Sequence, residues 1–244
     1  MSGLDTAFWL GAVDALAAAF AAEEAVLCGY DGAIGDGDHG SSMVRGFQEA
    51  QGTLRARPAS SPAEVLIRLG EAFMDNVGGV TGMVFGTLFV AAGRQAEGRQ
   101  AAGVSQVDAA ALHAMFAAGL AAVKKVGKAT EGDKSMLDAL SPAVHALDAA
   151  AQAGQAPAQA LREAARAAEA GRDATRDMEA RVGRARYQAG KGGGTLMPGR
   201  RPSACCSSPW APRPEAILPD PPAAAPCRFD TEAGACLPGP GTSC

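Results

Sequence analysis

The stretch 9-WLGAVDALAAAFAAEEAVL-27 decides the fold class, because its large apolar residues recur at helical spacing. Trp9, Val13, Leu16, Phe20 and Leu27 follow one another at steps of 4, 3, 4 and 7, which places them on one face of a helix. No stretch of the chain alternates convincingly with period two. The sequence therefore predicts an all-α fold of seven helices with short connections, an antiparallel bundle or barrel.

Breaks in the apolar pattern predict where the helices begin and end. Cys28-Gly29-Tyr30 is expected to end the first helix, and Gly78 to Gly82 to separate the third from the fourth. Pro62 suits the first position of the third helix, and Asp133 is a good N-cap for the sixth. The second helix is predicted to start at about residue 41. The third to seventh are predicted over 62–76, 83–92, 106–125, 134–153 and 157–187.

Composition excludes several classes of protein. The 244 residues carry 22 Lys and Arg against 26 Asp and Glu, so the net charge is −4 and a nucleic-acid partner is not expected. Hydrophobic residues make up 48% and charged residues 20%, which provides a core and excludes global disorder. The acidic residues that interrupt the apolar N-terminal run also argue against a signal peptide, and no membrane span or membrane partner is expected.

Residues 198–244 differ from the rest of the chain. They hold 11 of the 15 prolines and 5 of the 6 cysteines, without CxxC spacing or a histidine, so a zinc site is not expected. We predict a helical domain over 1–197 followed by a disordered tail over 198–244. Cys28 is the only cysteine of the helical domain, and such sparse use of cysteine predicts a cytoplasmic protein.

Three carboxylates, Asp31, Asp36 and Asp38, lie in a glycine-rich segment after the first helix. Such a cluster repels itself unless a hard cation binds, and carboxylate oxygens suit Mg²⁺ or Ca²⁺. A calcium EF-hand is excluded, because Ser42 and Phe47 stand where its bidentate Glu should be. The three aspartates could hold a pair of Mg²⁺ ions that bridge the phosphates of a nucleotide, and the alternative is an Asp/Gly turn with helix-capping aspartates.

Two predicted helix starts near this cluster favour anions. Ser41 and Ser42 begin the second helix, and Gly78 to Gly82 precede the fourth, where free backbone N–H groups attract phosphate. A Walker loop is absent, because Gly127-Lys128 is followed by Ala129 instead of Ser or Thr. The sequence thus predicts a polyphosphate or nucleotide site of another type.

Four motifs, in order, resemble the L subunit, the nucleotide-binding domain, of dihydroxyacetone kinases. The motifs are Asp31-x4-Asp36-Gly-Asp38-His39-Gly40 with Met43 and Gly46-Phe47; Gly78-Gly79-Val80-Thr81-Gly82 with Gly86-Thr87; Gly127-Lys128-Ala129 through Gly132-Asp133-Lys134-Ser135-Met136-Leu137-Asp138-Ala139; and Ala174-Thr175 to Met178 with Val182-Gly183-Arg184-Ala185. Together they span about 31–187, and their order is more specific than any one of them.

The resemblance implies a barrel of eight antiparallel helices with ADP or ATP and two Mg²⁺ ions at one end. It implies metal ligation by Asp31, Asp36 and Asp38. The nucleotide-binding positions that it implies are His39, Gly40, Ser41, Ser42, Val80, Thr81, Gly127, Met136 and Arg184. Local alternatives stay open: His39 as a loop residue, Met136 as core and Arg184 as a solvated helix residue.

The same resemblance implies partners. A K subunit would hold dihydroxyacetone covalently through a histidine, and a phosphotransferase M subunit would rephosphorylate bound ADP. We expect no catalytic residue on this chain beyond the metal and nucleotide site. Alternatives are the L domain of an ATP-dependent ketose or tetrose kinase, a nucleotide-binding regulatory protein without turnover, and a helical scaffold with a divalent-ion site.

The chain departs from the family after residue 196. Met197-Pro198-Gly199 has Met where the family has Asp in an Asp-Pro-Gly loop, and residues 198–244 stand where its eighth helix should follow. One hypothesis is a reading-frame shift near residue 197, and the alternative is a genuine lineage-specific tail. Without the eighth helix we expect marginal stability and weaker nucleotide retention, because apolar faces of the first and seventh helices lose their cover.

Overall fold

A computed structural model of the chain describes residues 3–32, 36–101 and 106–183. These residues form seven α-helices and no strand, which confirms the all-α expectation. The helices are α1 (Thr6–Gly32), α2 (His39–Ala56), α3 (Pro62–Asn76), α4 (Gly79–Ala101), α5 (Ala109–Gly127), α6 (Leu137–Gln152) and α7 (Pro157–Ala174). A 3₁₀ turn, Thr175–Asp177, follows α7, and an isolated antiparallel bridge joins Leu4 to Val107.

Consecutive helices pack against each other from α1 through α7. Because the connections are short, neighbouring helices run antiparallel, and the connections alternate between two ends of the molecule. One end, called the site end below, contains the last turn of α1, the first turn of α2, the α3–α4 and α5–α6 connections and the end of α7. Within the described residues, α1 and α7 do not pack extensively against each other.

The core of the first four helices is a cluster of phenylalanines. Phe47 on α2 and Phe73 on α3 are completely buried. Phe47 stacks on Phe20 of α1 with ring centroids 5.0 Å apart, and it meets Phe73 edge-on at 5.2 Å. Phe85 and Phe89 of α4 complete the cluster. These rings pack α1 to α4 together, and the end of α1 and the start of α2 flank the aspartate-rich part of the site end.

Helices α3 and α4 approach so closely that only glycine fits at their contact. A Cβ atom on Gly70 would lie 2.6 Å from the carbonyl oxygen of Gly86, and one on Gly93 would lie 2.8 Å from that of Ala63. Both distances are well below van der Waals contact. The glycines that give α4 a weak helical preference are therefore the residues that let it pack.

Two predicted boundaries at the site end were wrong. Helix α1 does not end at Cys28-Gly29-Tyr30 but continues to Gly32, because one glycine costs a helix only about 1 kcal/mol and Leu27 is buried on the packed face. Asp31 therefore lies in the last turn of α1 rather than in a loop. Helix α2 begins at His39, two residues before the predicted Ser41, with Asp38 at the N-cap position.

Helix α3 has its predicted bounds and α7 its predicted start at Pro157, whereas the other boundaries of α4 to α7 differ from the prediction. Helix α4 begins at Gly79 and reaches Ala101, so the predicted break at Gly78 to Gly82 is confined to its first two residues, with Gly79 at φ +69°. Helix α5 begins after Asp108, whose side chain accepts from the Ala111 N–H at 2.7 Å. Helix α6 begins three residues later than predicted, and α7 ends at Ala174 instead of about Tyr187.

One helix among the described residues, α5, is long and apolar enough to cross a membrane by length and composition. Of its most apolar window, 44% is buried inside the molecule, and α5 packs between α4 and α6. A core helix has the same properties, so α5 alone does not indicate a membrane span. The predicted domain boundary at residue 197 and the tail 198–244 lie outside the described residues.

Candidate metal and nucleotide site

The three predicted metal ligands come together at the site end. Each of Asp31, Asp36 and Asp38 offers one carboxylate oxygen, and these three oxygens lie within 4.8 Å of one another. Asp31 is half-buried on the last turn of α1, whereas Asp36 and Asp38 are exposed in the connection that leads to α2. The cluster thus joins the end of α1 to the residues that precede α2.

The carboxylate of Asp31 also shapes that loop. Its Oδ2 accepts from the backbone N–H groups of Gly37 at 2.9 Å and Asp38 at 3.1 Å. Gly37 has φ +77°, a left-handed conformation that glycine adopts without steric cost. The backbone therefore turns back toward α1 and carries Asp36 and Asp38 to Asp31.

This geometry fits a hard divalent cation. Three negatively charged groups so close together repel one another, and an ion bound among their oxygens would remove that cost. An all-oxygen donor set suits Mg²⁺ or Ca²⁺ rather than a thiophilic metal. Mg²⁺ also keeps further oxygen ligands such as water or phosphate, and two of the three aspartates are exposed.

His39 follows the cluster as the first residue of α2 and is half-buried. Burial lowers the pKa of its imidazole below the usual 6.5, although the negative charges of Asp31 and Asp38 act to raise it. Its ring is therefore mainly neutral at pH 7, and one ring nitrogen can accept a hydrogen bond while the other donates.

The next three predicted residues lie in the first turn of α2, and two of them already make local contacts. The Ser41 hydroxyl donates to the Asp38 carbonyl oxygen at 2.9 Å, and the Ser42 backbone N–H donates to the same oxygen at 2.9 Å. Gly40 is buried against α1, where an added Cβ would lie 2.2 Å from the Glu24 carbonyl oxygen. Gly40 thus has a packing role whether or not it contacts a ligand.

The remaining predicted positions also lie at the site end. Thr81 and the 66%-exposed Val80 occupy the first turn of α4, which runs parallel to α2. Gly127 is the last residue of α5, and the half-buried Met136 immediately precedes α6. Arg184 lies outside the described residues. The fold brings every described member of the predicted set to one end of the molecule.

Sequence reasoning quoted Ser135 and Asp138 within the third family motif but gave no role to either, and both organise the α5–α6 connection. The Asp138 carboxylate, 6% exposed, accepts from the backbone N–H groups of Gly132 and Ser135, and the Ser135 hydroxyl accepts from the Leu137 N–H. The Asp138 side chain reaches back to the Ser135 N–H as in a capping box, but the Ser135 hydroxyl accepts from Leu137 instead of from Asp138, and Met136 is the N-cap residue. Asp133, the predicted N-cap of the sixth helix, instead accepts from the Thr130 N–H and hydroxyl.

Comparison with known proteins identifies related chains. The DAK2 domain family model matches residues 33–206. The ADP-binding subunit DhaL of the PEP-dependent dihydroxyacetone kinase of Escherichia coli is 34% identical over 180 residues, which cover 74% of this chain and 83% of that subunit. Triokinase/FMN cyclase of Rattus norvegicus is 38% identical over 158 residues, 64% of this chain but only 26% of the rat protein.

The fold of the chain is similar to that of a solved dihydroxyacetone kinase structure. The crystal structure of the C. freundii dihydroxyacetone kinase with AMP-PNP and Mg²⁺ is 30% identical in sequence, with a TM-score of 0.56. The match covers 72% of this chain and 30% of the C. freundii chain. The family model alone spans well over half of the sequence, and the helical fold agrees with the solved structure. The chain therefore belongs to the DAK2 domain family.

Proposed function

We propose that the chain is the nucleotide-binding subunit of a dihydroxyacetone kinase. In this role it binds ADP or ATP with two Mg²⁺ ions and provides the phosphoryl group for dihydroxyacetone held by a K subunit. A phosphotransferase M subunit then rephosphorylates the ADP that stays bound. The observation that carries this proposal is the convergence of Asp31, Asp36 and Asp38 within 4.8 Å in a chain that aligns with 83% of an ADP-binding subunit.

The residues of the site have distinct roles in this proposal. Asp31, Asp36 and Asp38 hold Mg²⁺, which when bound neutralises phosphate charge during phosphoryl transfer. The N-terminal turns of α2 and α4 face the phosphates with backbone N–H groups that lack partners inside the helix. His39, Ser41, Ser42 and Thr81 add side-chain contacts there, and Gly127, Met136 and Arg184 line the nucleotide pocket.

The chain works by positioning the nucleotide rather than by proton transfer. Phosphoryl transfer requires alignment of donor and acceptor and compensation of negative charge, and both depend on how firmly the nucleotide is held. The partner that holds the sugar supplies any group that removes the proton from the attacking hydroxyl. In this division of roles the chain contributes no catalytic residue beyond the metal and nucleotide site.

The 38% identity to triokinase/FMN cyclase favours a second candidate, the nucleotide-binding domain of an ATP-dependent ketose kinase. The two candidates differ in the phosphoryl donor. A purified K and M pair with phosphoenolpyruvate should support turnover in the first case, whereas added ATP should exchange with bound nucleotide and support turnover in the second. Nucleotide binding without turnover under either condition would indicate a regulatory protein.

Calorimetry with ADP in the presence of Mg²⁺ tests the metal and nucleotide assignment. We expect binding by the unmodified chain and a loss of at least about tenfold in affinity in Asp36→Asn, because the amide oxygen is a weaker, uncharged ligand. Asp148→Asn is the matched control, since Asp148 lies on α6 about 17 Å along the helix from its start at the site end. Equal affinity of Asp36→Asn and the unmodified chain would refute the assignment.

A further inference from the structure

The α5–α6 connection, residues 128–136, has an unusual backbone. Lys128 has φ 51°, Gly132 has φ 89° and Lys134 has φ 58°, all in the left-handed region. Two of these residues are lysines, for which this conformation is unfavourable. The surrounding structure must therefore hold the connection in place.

Two residues of α6 hold it: the Ser141 hydroxyl donates to the Glu131 carboxylate at 2.5 Å, and Asp138 contacts the backbone. The buried Asp138 carboxylate accepts from the N–H groups of Gly132 and, at 2.7 Å, Ser135, so the two hydrogen bonds bracket Asp133 and Lys134. Hydrogen bonds to a carboxylate are stronger than those between neutral groups. The negative charge also lies in the first turn of α6, where the helix dipole stabilises it.

The bracketed residues in turn hold the segment that follows α7. The Asp133 carbonyl oxygen accepts from the Arg181 N–H at 3.1 Å, and the Lys134 ammonium donates to the Met178 carbonyl oxygen at 3.1 Å. A chain of contacts thus runs from Asp138 through the connection to residues 178–181. The connection lies within the third family motif, and residues 178–181 join the two parts of the fourth.

We propose that Asp138 is a positioning residue for the nucleotide site. Without touching the nucleotide, its carboxylate keeps the α5–α6 connection, and through it residues 178–181, in the conformation that receives the nucleotide beside Met136. This inference rests on the proposed function. The aspartate cluster belongs to α1 and the α1–α2 connection, so metal binding there does not depend on Asp138.

That separation provides the test. Asp138→Asn keeps the size of the side chain but turns one acceptor into a donor that faces a backbone N–H. We expect its affinity for Mg·ADP to fall at least about tenfold, while the affinity of the nucleotide-free protein for Mn²⁺ alone, measured by electron paramagnetic resonance, stays unchanged. Both are measured well below the thermal midpoint, and Asp148→Asn on the same helix should match the unmodified chain in both.

Gly132→Ala decides the question if Asp138→Asn does not fold. An added Cβ at Gly132 meets nothing within 4 Å, so this change acts only through the backbone at φ 89°, and it leaves Asp138 intact. We expect the same selective loss of ADP affinity. Unchanged ADP affinity in the folded variant, or equal losses of ADP and Mn²⁺ affinity, would overturn the positioning role. Failure of the unmodified chain to bind Mg·ADP would refute the proposed function itself, and the positioning role with it.

Discussion

The contacts of Asp31 depend on its position at the end of α1. In sequence it is one of three aspartates near several glycines, and in the structure its Oδ2 accepts two backbone N–H groups that shape the loop carrying the other two. The residue type and spacing predicted the cluster, but the continuation of α1 through Cys28 to Gly32 decided its geometry. A change at a glycine of this loop should therefore affect metal binding.

Gly37→Ala tests whether the turn at Gly37 affects metal binding. With φ +77° an alanine is strained by about 1–2 kcal/mol, so we expect lower stability and weaker Mn²⁺ binding. Gly29→Ala is the matched control, because a Cβ there meets nothing within 4 Å inside α1 and should stabilise the helix by up to about 1 kcal/mol. Urea unfolding and Mn²⁺ titration measure the two effects. Wild-type Mn²⁺ affinity in Gly37→Ala would contradict the proposed role of the turn.

Helix α3 illustrates the element scale, because local chemistry predicted its start and tertiary contacts explain its sequence. Pro62 occupies the predicted first position, and the Ser61 hydroxyl accepts from the Glu64 N–H at 3.2 Å. The apolar face of α3 was readable as well. The need for glycine at position 70 could not be read from the sequence. It arises from α4, because the carbonyl oxygen of Gly86 lies 2.6 Å from where a Cβ atom of residue 70 would be.

The start of α3 also predicts a pH dependence. Hydrogen bonds from the Ser60 N–H and hydroxyl, together with Arg68, hold the pKa of Glu64 below its usual 4.5. The ionised form is thus favoured in the folded state, so Glu64 stabilises the protein above about pH 4.5, and this contribution is lost as the pH falls through the lower pKa of the folded state.

Urea unfolding of Glu64→Gln at pH 7 and pH 3 checks this dependence. The difference in the free energy of unfolding from the unmodified chain should be larger at pH 7 and shrink at pH 3. Glu97→Gln, an exposed change on α4, controls for the altered net charge. A difference that is the same at both pH values would show that Glu64 does not act through its charge.

The first and last helices of the molecule, α1 and α7, have fewer packing partners than the helices between them. Helices α2 to α6 each pack between two neighbours, whereas α1 and α7 do not pack extensively against each other within the described residues. Phe8, Leu10 and Leu16 on α1 and Leu161 on α7 are only partly buried. An additional amphipathic helix between α1 and α7 would cover more of this apolar surface.

Replacing residues 198–244 with an amphipathic helix of the family type should therefore raise stability. Covering a large apolar side chain contributes about 1.5–3 kcal/mol, and for a domain of this size 1 kcal/mol shifts the thermal midpoint by about 2–4 °C. We expect a higher thermal midpoint and tighter Mg·ADP binding, by calorimetry, than in the original chain. A chain ending at residue 197 separates the effect of the new helix from that of tail removal. Equal midpoints for all three would refute the expectation.

The amino-acid pattern alone predicted the all-α class, the identity of the aspartate cluster and the order of the helices. These features depend on residues three or four positions apart and on backbone preferences, which act locally. Only the tertiary structure decided that α1 carries Asp31 to the loop, that Gly40 and Gly70 must be glycine, and that Asp138 holds a connection that in turn holds residues 178–181. Those outcomes depend on which backbone segments come into contact across the molecule, and the spacing of residues along the sequence does not determine these contacts.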